Sequence, residues 1–206
     1  MLSKGWLARG IVGTVEPMAR WETDGRGRLE RAALELFTEQ GYEGTTVAQI
    51  AQRAGLTERS FYRHYADKRE VLFGGEGHEL EAHLVASVNA APAEQGPLEV
   101  ILSALVAAHE LFRPRELLAR GAAVIAANAP LRERQLIKMA SMSMALVAAL
   151  MRRGVDKHTA QLATDMGLSV SRLAAERWLV DDTLPFAEHF ARSAEHLRRV
   201  AAGSSS

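Results

Sequence analysis

The sequence predicts an all-α fold, and three observations carry that expectation. No stretch alternates apolar and polar residues with period two over the length of a strand. Long stretches instead space their apolar residues by three and four, as helices with one buried face do. Thr46 to Tyr65, finally, reads as two short helices hinged at a single glycine.

Met1 to Gly25 has no clear periodicity and contains Gly5, Gly10, Gly13 and Pro17, so it is expected to be a mobile arm or an upstream extension before a start near Met18. Arg20, Arg26 and Arg28 stand just before or at the first helix. They could reach phosphates or the minor groove, as DNA-binding arms do, or be ordinary solvent-exposed arginines. From about Gly27 to Gln40, Leu29, Ala32, Ala33, Leu36 and Phe37 form one apolar stripe, which Gly41 closes with Tyr42 behind it.

Thr46 opens the next helix with a Thr-x-x-Gln capping box to Gln49. Val47, Ile50, Ala51 and Ala54 share its inner face, and Gly55 stands where the helix end needs a left-handed residue. Leu56 fits the angle, and Thr57 caps a second helix of Glu58, Arg59, Ser60, Phe61, Tyr62 and Arg63, polar except for Phe61. Short helices joined through a glycine turn describe the helix-turn-helix, whose second member enters the major groove. The alternative is an ordinary helical hairpin in an all-helical core. Charge favours the former: Arg53, Arg59, Arg63, Lys68 and Arg69 face only Glu58 and Asp67, in a chain whose Lys+Arg and Asp+Glu totals are 25 each.

Leu34 to Leu72 also resembles a known family. Phe37, Gly41, Tyr42, Thr45-Thr46-Val47, Ile50-Ala51, Ala54-Gly55-Leu56, Ser60-Phe61-Tyr62-Arg63-His64-Tyr65 and Lys68 together look like the DNA-binding domain of the tetracycline-repressor (TetR) family of bacterial regulators. Phe61 and Tyr65 stand where that family more often has Leu and Phe. The resemblance implies base contacts from Glu58, Arg59 and Ser60, with Gln49 and Ala48 from the preceding helix. It implies phosphate contacts from Thr46, Tyr62, His64 and Lys68, to which the arm reading adds Arg28. Side-chain chemistry agrees, since arginine pairs two donors with guanine and glutamate accepts from cytosine, each for about 1–3 kcal/mol of discrimination.

Asp67 to Glu70 opens a fourth helix with an Asp-x-x-Glu box whose free amides, with Lys68, suit a phosphate. It is expected to run toward Val88 through Gly74, Gly75 and Gly77, at roughly 1 kcal/mol per glycine relative to alanine. The cluster is either a soft point between head and body or a helix held straight by its neighbours. Ala90 to Pro97 is a loop. Helices then follow at about Leu98–Phe112, Pro114–Asn128, Pro130–Arg153, Asp156–Val180 and Pro185–Ala202, nine in all. The expected units are an arm (1–25), a DNA-binding head (26–72), a ligand-binding and dimerisation body (73–202) and a polar tail (203–206).

In the body, the helix with Ile137, Met139, Met142, Met144, Leu146, Val147, Leu150 and Met151 is so apolar that it is expected to be central. A methionine-rich wall suits irregular apolar ligands, although such a stripe also serves as plain core. Members of the family hold an inducer among these helices. The expected pocket comprises Leu102, Leu105, Val106, His109 and Phe112 facing Met139, Met142 and Leu146, with Arg172 and His109 as polar contacts or as satisfied structural groups. The small residues Ala163, Gly167, Val170, Ser171 and Ala174, with the stripe Phe186, Phe190, Ser193 and Leu197, are expected to form a homodimer face with a C2 axis; the alternative is intramolecular packing. From Arg115 to Trp178 the chain loosely resembles actinobacterial members linked to mycofactocin clusters. The hints are Pro130-Leu131-Arg132-Glu133-Arg134 and Glu176-Arg177-Trp178-Leu179, and they imply an acyl-CoA ligand.

With 206 residues and 48% hydrophobic content the chain can bury a core, and its zero net charge confines any affinity for nucleic acid to a local patch. It has no cysteine, which excludes disulfides and thiolate chemistry. No run approaches a membrane span, and Arg9 interrupts the signal-like stretch Trp6 to Val15, so a cytoplasmic protein is expected. Gly167-Leu168-Ser169-Val170-Ser171 lacks the final glycine of a nucleophile elbow and lies within a helix. His78, Glu79 and His83, or His189 and His196, do not make a His-Glu-x-x-His set. The sequence therefore calls for no enzyme, no cofactor and no metal. Its expected partners are a palindromic DNA operator, a second copy and a small inducer, with a ligand-independent DNA-binding protein as the alternative.

Overall fold

The computed structural model describes residues 25–73, 76–111 and 114–203, and every regular element among them is helical. In order these are α1 (Gly25–Gln40), α2 (Val47–Arg53), α3 (Glu58–His64), α4 (Glu70–Phe73), α5 (Glu76–Ala90), α6 (Pro97–Ala107), a 3-10 turn (Ala108–Leu111), α7 (Arg115–Ala127), α8 (Ala129–Arg152), α9 (Lys157–Val180) and α10 (Phe186–Ala201). The helix expected from Asp67 toward Val88 is described as α4 and α5 on either side of residues 74–75. The arm through Asp24, Gly74 and Gly75 of the glycine cluster, and Phe112 lie outside them. The helix that begins at Pro97 tightens to 3-10 geometry at Ala108.

Local chemistry sets the boundaries of the head. The Gln49 amide donates to Thr46 Oγ1 (3.2 Å) while Gln49 Oε1 accepts from the Thr46 amide (2.8 Å), completing the expected capping box. Gly55 takes φ +64°, the Leu56 amide donates to Ala51 O (2.8 Å) and the Gly55 amide to Gln52 O (3.0 Å), the paired bonds of a Schellman stop. Thr57 then caps α3 by accepting from the Ser60 amide (3.1 Å).

Two apolar cores form. The head core gathers Leu29, Ala33, Leu34 and Phe37 of α1, Ile50 of α2, Phe61 and Tyr65 around α3, and Val71 of α4. It also contains Val124 of α7 and Leu131 of α8, so the head extends beyond the expected boundary at residue 72. The body core joins α5, α6, α8, α9 and α10.

Two expectations about the body are corrected. α8 is not central: Leu131, Leu146, Val147, Ala149 and Leu150 are buried, but Leu136 is 70% exposed and Met144 67%, with Ile137, Met139 and Met151 also exposed. Its two ends are buried in different cores, Leu131 in the head and Leu146 to Leu150 in the body, and the stretch between them is largely exposed. The small-residue face of α9 is filled from within the same chain. A Cβ on Gly167 would stand 2.3 Å from Ile101 Cγ2, and Ala163, Val170, Ala174, Phe186 and Phe190 are all buried in the body core. Ser193 bonds back to His189 O (2.9 Å) and Leu197 packs against the same core, while Ser171 is half-buried. Small residues let α6 and α10, not a second copy, approach α9.

Candidate nucleic-acid interface

α3 is held by one buried residue and presents the rest. Phe61 is fully buried, with Tyr65 beside it at 5.3 Å between ring centroids, and the Tyr65 hydroxyl donates to the buried Glu30 carboxylate (2.6 Å). That anchor leaves Glu58, Arg59, Tyr62 and Arg63 exposed and Ser60 half-buried, with Tyr62 at 56%. Thr57, Arg59, Ser60, Tyr62 and Arg63 line one shallow concavity. Ala48 and Gln49 are exposed on α2, and Thr46 is exposed at its cap.

The five basic residues counted across this region are not equivalent. Arg53 is bidentate with Glu39 (3.0 and 2.8 Å) and reaches Glu35 (3.4 Å), so it fastens α2 to α1. Arg69 pairs with Asp67 (2.8 Å), whose other oxygen accepts from the Arg69 and Glu70 amides (2.7 and 3.1 Å). Burial opposes the Asp67 charge, but these bonds prevail and hold its carboxyl below the ordinary range. Lys68 points inward: its ammonium donates to Tyr42 O (2.7 Å) and Thr45 O (2.8 Å) and lies 4.1 Å from the Tyr42 ring centroid. Burial lowers its pKa and raises that of the Tyr42 phenol. The expected phosphate cation is therefore chiefly a clasp on the loop between α1 and α2. Arg59 and Arg63 remain, with no ion pair to any described residue.

Arg63 received no separate role in the sequence reading, although its spacing of four from Arg59 is the signal that places both on one helical face. Arg28 is exposed, and its guanidinium lies 3.8 Å from where a Cβ on Gly55 would stand, so α1 brings it beside the hinge. Arg26 is structural, pairing with Glu30 (3.4 Å) and Glu79 (3.2 Å). His64 is half-buried at the end of α3, close to Gly25. Gln49 Oε1 is spent on the Thr46 backbone amide and on the Gln40 side-chain amide (3.1 Å), so only its own NH2 is left to donate outward.

The expected pocket residues that are described lie partly in the body core and partly on its surface. Leu102, Leu105 and Leu146 are buried in the body core with Val106 and Met142 against them. Met139 is exposed, and Arg172 is exposed and paired with Glu176 (2.7 Å). His109 joins an aromatic cluster, stacked on Phe186 at 4.3 Å and edge-on to Trp178 at 5.2 Å. A polar group that the sequence reading overlooked lies in the same core: the Thr164 hydroxyl is fully buried without a hydrogen-bond partner among the described residues. Its spacing of four from Ala160 was the available signal.

Head and body are joined by charge as well as by the shared core. Glu70 of α4 receives Arg134 Nε (2.6 Å) and Lys138 Nζ (3.1 Å) from α8. Burial penalises its charge, but those hydrogen bonds outweigh it and hold the carboxyl below its ordinary value. Arg115, at the start of α7, donates to Trp178 O (2.8 Å) and Leu179 O (3.0 Å) at the end of α9. α7 thus touches both units.

Residues 30–73 match the family model described as bacterial regulatory proteins, tetR family. The chain is 42% identical over 92 residues to the HTH-type transcriptional regulator TcmR of Streptomyces glaucescens, covering 45% of this chain and 40% of TcmR. It is 28% identical over 101 residues to the HTH-type regulator Mb2274c of Mycobacterium bovis, covering 49% of this chain and 51% of that one. The chain thus spans about half or less of the length of these curated relatives. Among solved structures it resembles the Thermus thermophilus repressor FadR in complex with lauroyl-CoA, with 25% identity, a TM-score of 0.50, and 88% and 95% of the two chains covered. It shares its fold with SmeT in a triclosan complex, at 18% identity, a TM-score of 0.58, and 86% and 90% coverage. The capped, glycine-hinged helix pair, its exposed α3 and the helical body behind it agree with these matches: residues 30–73 are similar to the tetR family of bacterial regulatory proteins, and the fold as a whole resembles that of FadR.

Proposed function

We propose that the protein is a sequence-specific transcriptional repressor that grips a palindromic operator as a homodimer and releases it on binding a small amphipathic molecule. The observation that carries the reading is α3, where Arg59 and Arg63 stay unpaired and exposed while neighbouring Arg53, Lys68 and Arg69 are spent on the fold. Glu58, Arg59, Ser60, Ala48 and Gln49 would meet base edges. Thr46, Tyr62, His64, Arg63 and Arg28 would meet phosphates, with one N–H of Lys68 still to offer.

Dimerisation would use the outer face of α9, where Leu162, Met166, Leu173 and Val180 are exposed at spacings of four and seven. This replaces the inward-facing set expected from sequence. The ligand would enter the body, where the Thr164 hydroxyl is left without a partner, at a cost of about 1–3 kcal/mol that a ligand oxygen could relieve. The likeness to FadR, bound to lauroyl-CoA, favours an acyl chain as its apolar part. A ligand preferring another spacing of the two heads would shift the population away from the DNA-competent state. The domains assigned are a head around residues 26–72 and a body through residue 202. The setting is the cytoplasm, and no helix among the described residues is long and apolar enough to cross a membrane.

The close packing of Leu102, Leu105 and Leu146 favours a second reading, a DNA-binding protein without a ligand. Selection from random duplexes at two salt concentrations, with sequencing of the bound fraction, tests the main reading. An enriched palindrome is expected. Salt-sensitive binding with no motif would refute sequence-specific repression.

A further inference from the structure

We infer that the junction of head and body carries its own binding site, a groove between the end of α1 and α7 shaped for a small amphipathic carboxylate. It goes beyond the inducer site assigned to the body. The groove is shallow and open to solvent, with a volume of about 400 Å³. Its floor is Phe37, Tyr42 and Val124, all buried, with the two rings packed edge to face at 5.1 Å. Ala123 and Ala127 on the exposed side of α7 are too small to fill it. Gly41, at φ +82°, turns the chain away from α1, and even a Cβ there would meet nothing within 4 Å.

The polar lining selects the ligand's charge. Thr38 and Asn128, at the edges, donate to their own helices, to Leu34 O and Val124 O (both 2.7 Å). Arg120 lines the groove, is exposed, and makes no hydrogen bond or ion pair with any described residue. Glu39 lies in its electrostatic reach but is already held in two bonds by Arg53. Glu43 and Asp67 act on the Tyr42 phenol at the opposite wall, Asp67 being paired to Arg69, so an anionic end is directed to Arg120. A guanidinium binds a carboxylate through two parallel hydrogen bonds, which an alcohol cannot reproduce. An occupant would join α1, the backing of the DNA-reading pair, to α7, whose Val124 completes the head core. It would thereby couple to DNA affinity through the head's attachment rather than through the body core.

The test is a titration of the full chain, labelled at alanine methyls, with octanoate and, separately, with 1-octanol. Saturable shifts are expected at the Ala123 and Ala127 methyls, with octanoate at least about tenfold tighter than octanol. In Arg120→Gln, whose side chain is exposed, that preference should fall to about threefold or less while the Ala51 methyl in the head core keeps its position. Silent Ala123 and Ala127 methyls, equal responses to both probes, or a preference that survives Arg120→Gln would each overturn the inference. So would shifts confined to Ala104 and Ala108, which would place the probe in the body core. None of these readouts involves DNA, so the outcome is independent of the repressor reading.

Discussion

Gly167→Ala separates intramolecular packing from a dimer role at one position. The new Cβ would lie 2.3 Å from Ile101 Cγ2, 3.3 Å from Leu105 Cδ1 and 3.4 Å from Ile101 Cβ. Ile101 is fully buried and β-branched, so its methyl cannot swing aside by a cheap rotamer change. Two effects oppose each other. Alanine improves the helix by about 0.8–1.0 kcal/mol, whereas overpacking a close contact costs about 1–3 kcal/mol. A contact this short against a stiff neighbour belongs in the upper half of that range, leaving a net loss of about 1–2 kcal/mol. Urea unfolding at two protein concentrations, with sedimentation of the folded protein, reads stability and association separately. The expected result is a lower midpoint with unchanged association. In an Ile101→Ala background the same change should instead stabilise, since the obstructing methyl is gone and only the helix term remains. A Gly167→Ala protein as stable as its parent, or more stable, would refute the packing argument. Weakened association at unchanged stability would return this face to the dimer.

The committed and uncommitted cations should behave differently on DNA. Arg63→Ala should lower the slope of log K against log salt by about 1.8, one phosphate contact from each copy of the proposed dimer, while Arg53→Ala leaves that slope unchanged; filter binding over a salt series reads both. Lys68→Met removes two charge-assisted bonds to carbonyls and is expected to cost the head about 2 kcal/mol, read as an earlier unfolding midpoint in urea even without DNA. Glu70 contributes through its lowered pKa. Its stabilisation is fully present above the ordinary carboxyl value of 4.5 and is lost as pH falls through the lower folded value. Glu70→Gln should therefore flatten the acid limb of the melting temperature measured from about pH 6 down to about pH 3, and an unchanged limb would discount the contacts with Arg134 and Lys138.

The head was legible because its information is local. The Thr46–Gln49 box, the stop at Gly55 and the Thr57–Ser60 cap each act over five residues or fewer, and all appear as expected. The fate of charges was not legible, because it depends on partners far along the chain. Arg53 meets Glu35 and Glu39 only when α2 lies against α1, and Lys68 meets the Tyr42 and Thr45 carbonyls across the fold. In the body the periodicity located the helices but not the direction of their faces. A stripe of small residues permits close approach by any helix, and here α6 takes the place assigned to a second copy. α8 misled for a related reason: an apolar helix need not be central if it spans from one core to another, as α8 does between Leu131 and Leu146.

The same long-range contacts argue against an independent head. A fragment of residues 25–73 keeps α1 to α4 but loses Val124 and Leu131, which sit in the head core, and the partial cover of Leu117 and Ile125. Glu70 would also lose Arg134 and Lys138. At fewer than about 50 residues a domain is already marginal without disulfides or metal, and this chain has no cysteine. The fragment is therefore expected to show weak helical signal and no cooperative melt, whereas the same head within the whole chain melts cooperatively. A sharp transition in the isolated fragment would show that α7 and α8 merely rest on the head. Its absence would mean that the body holds α2 and α3 in shape, so that any ligand repositioning α7 or α8 acts on α3 through the head's own core.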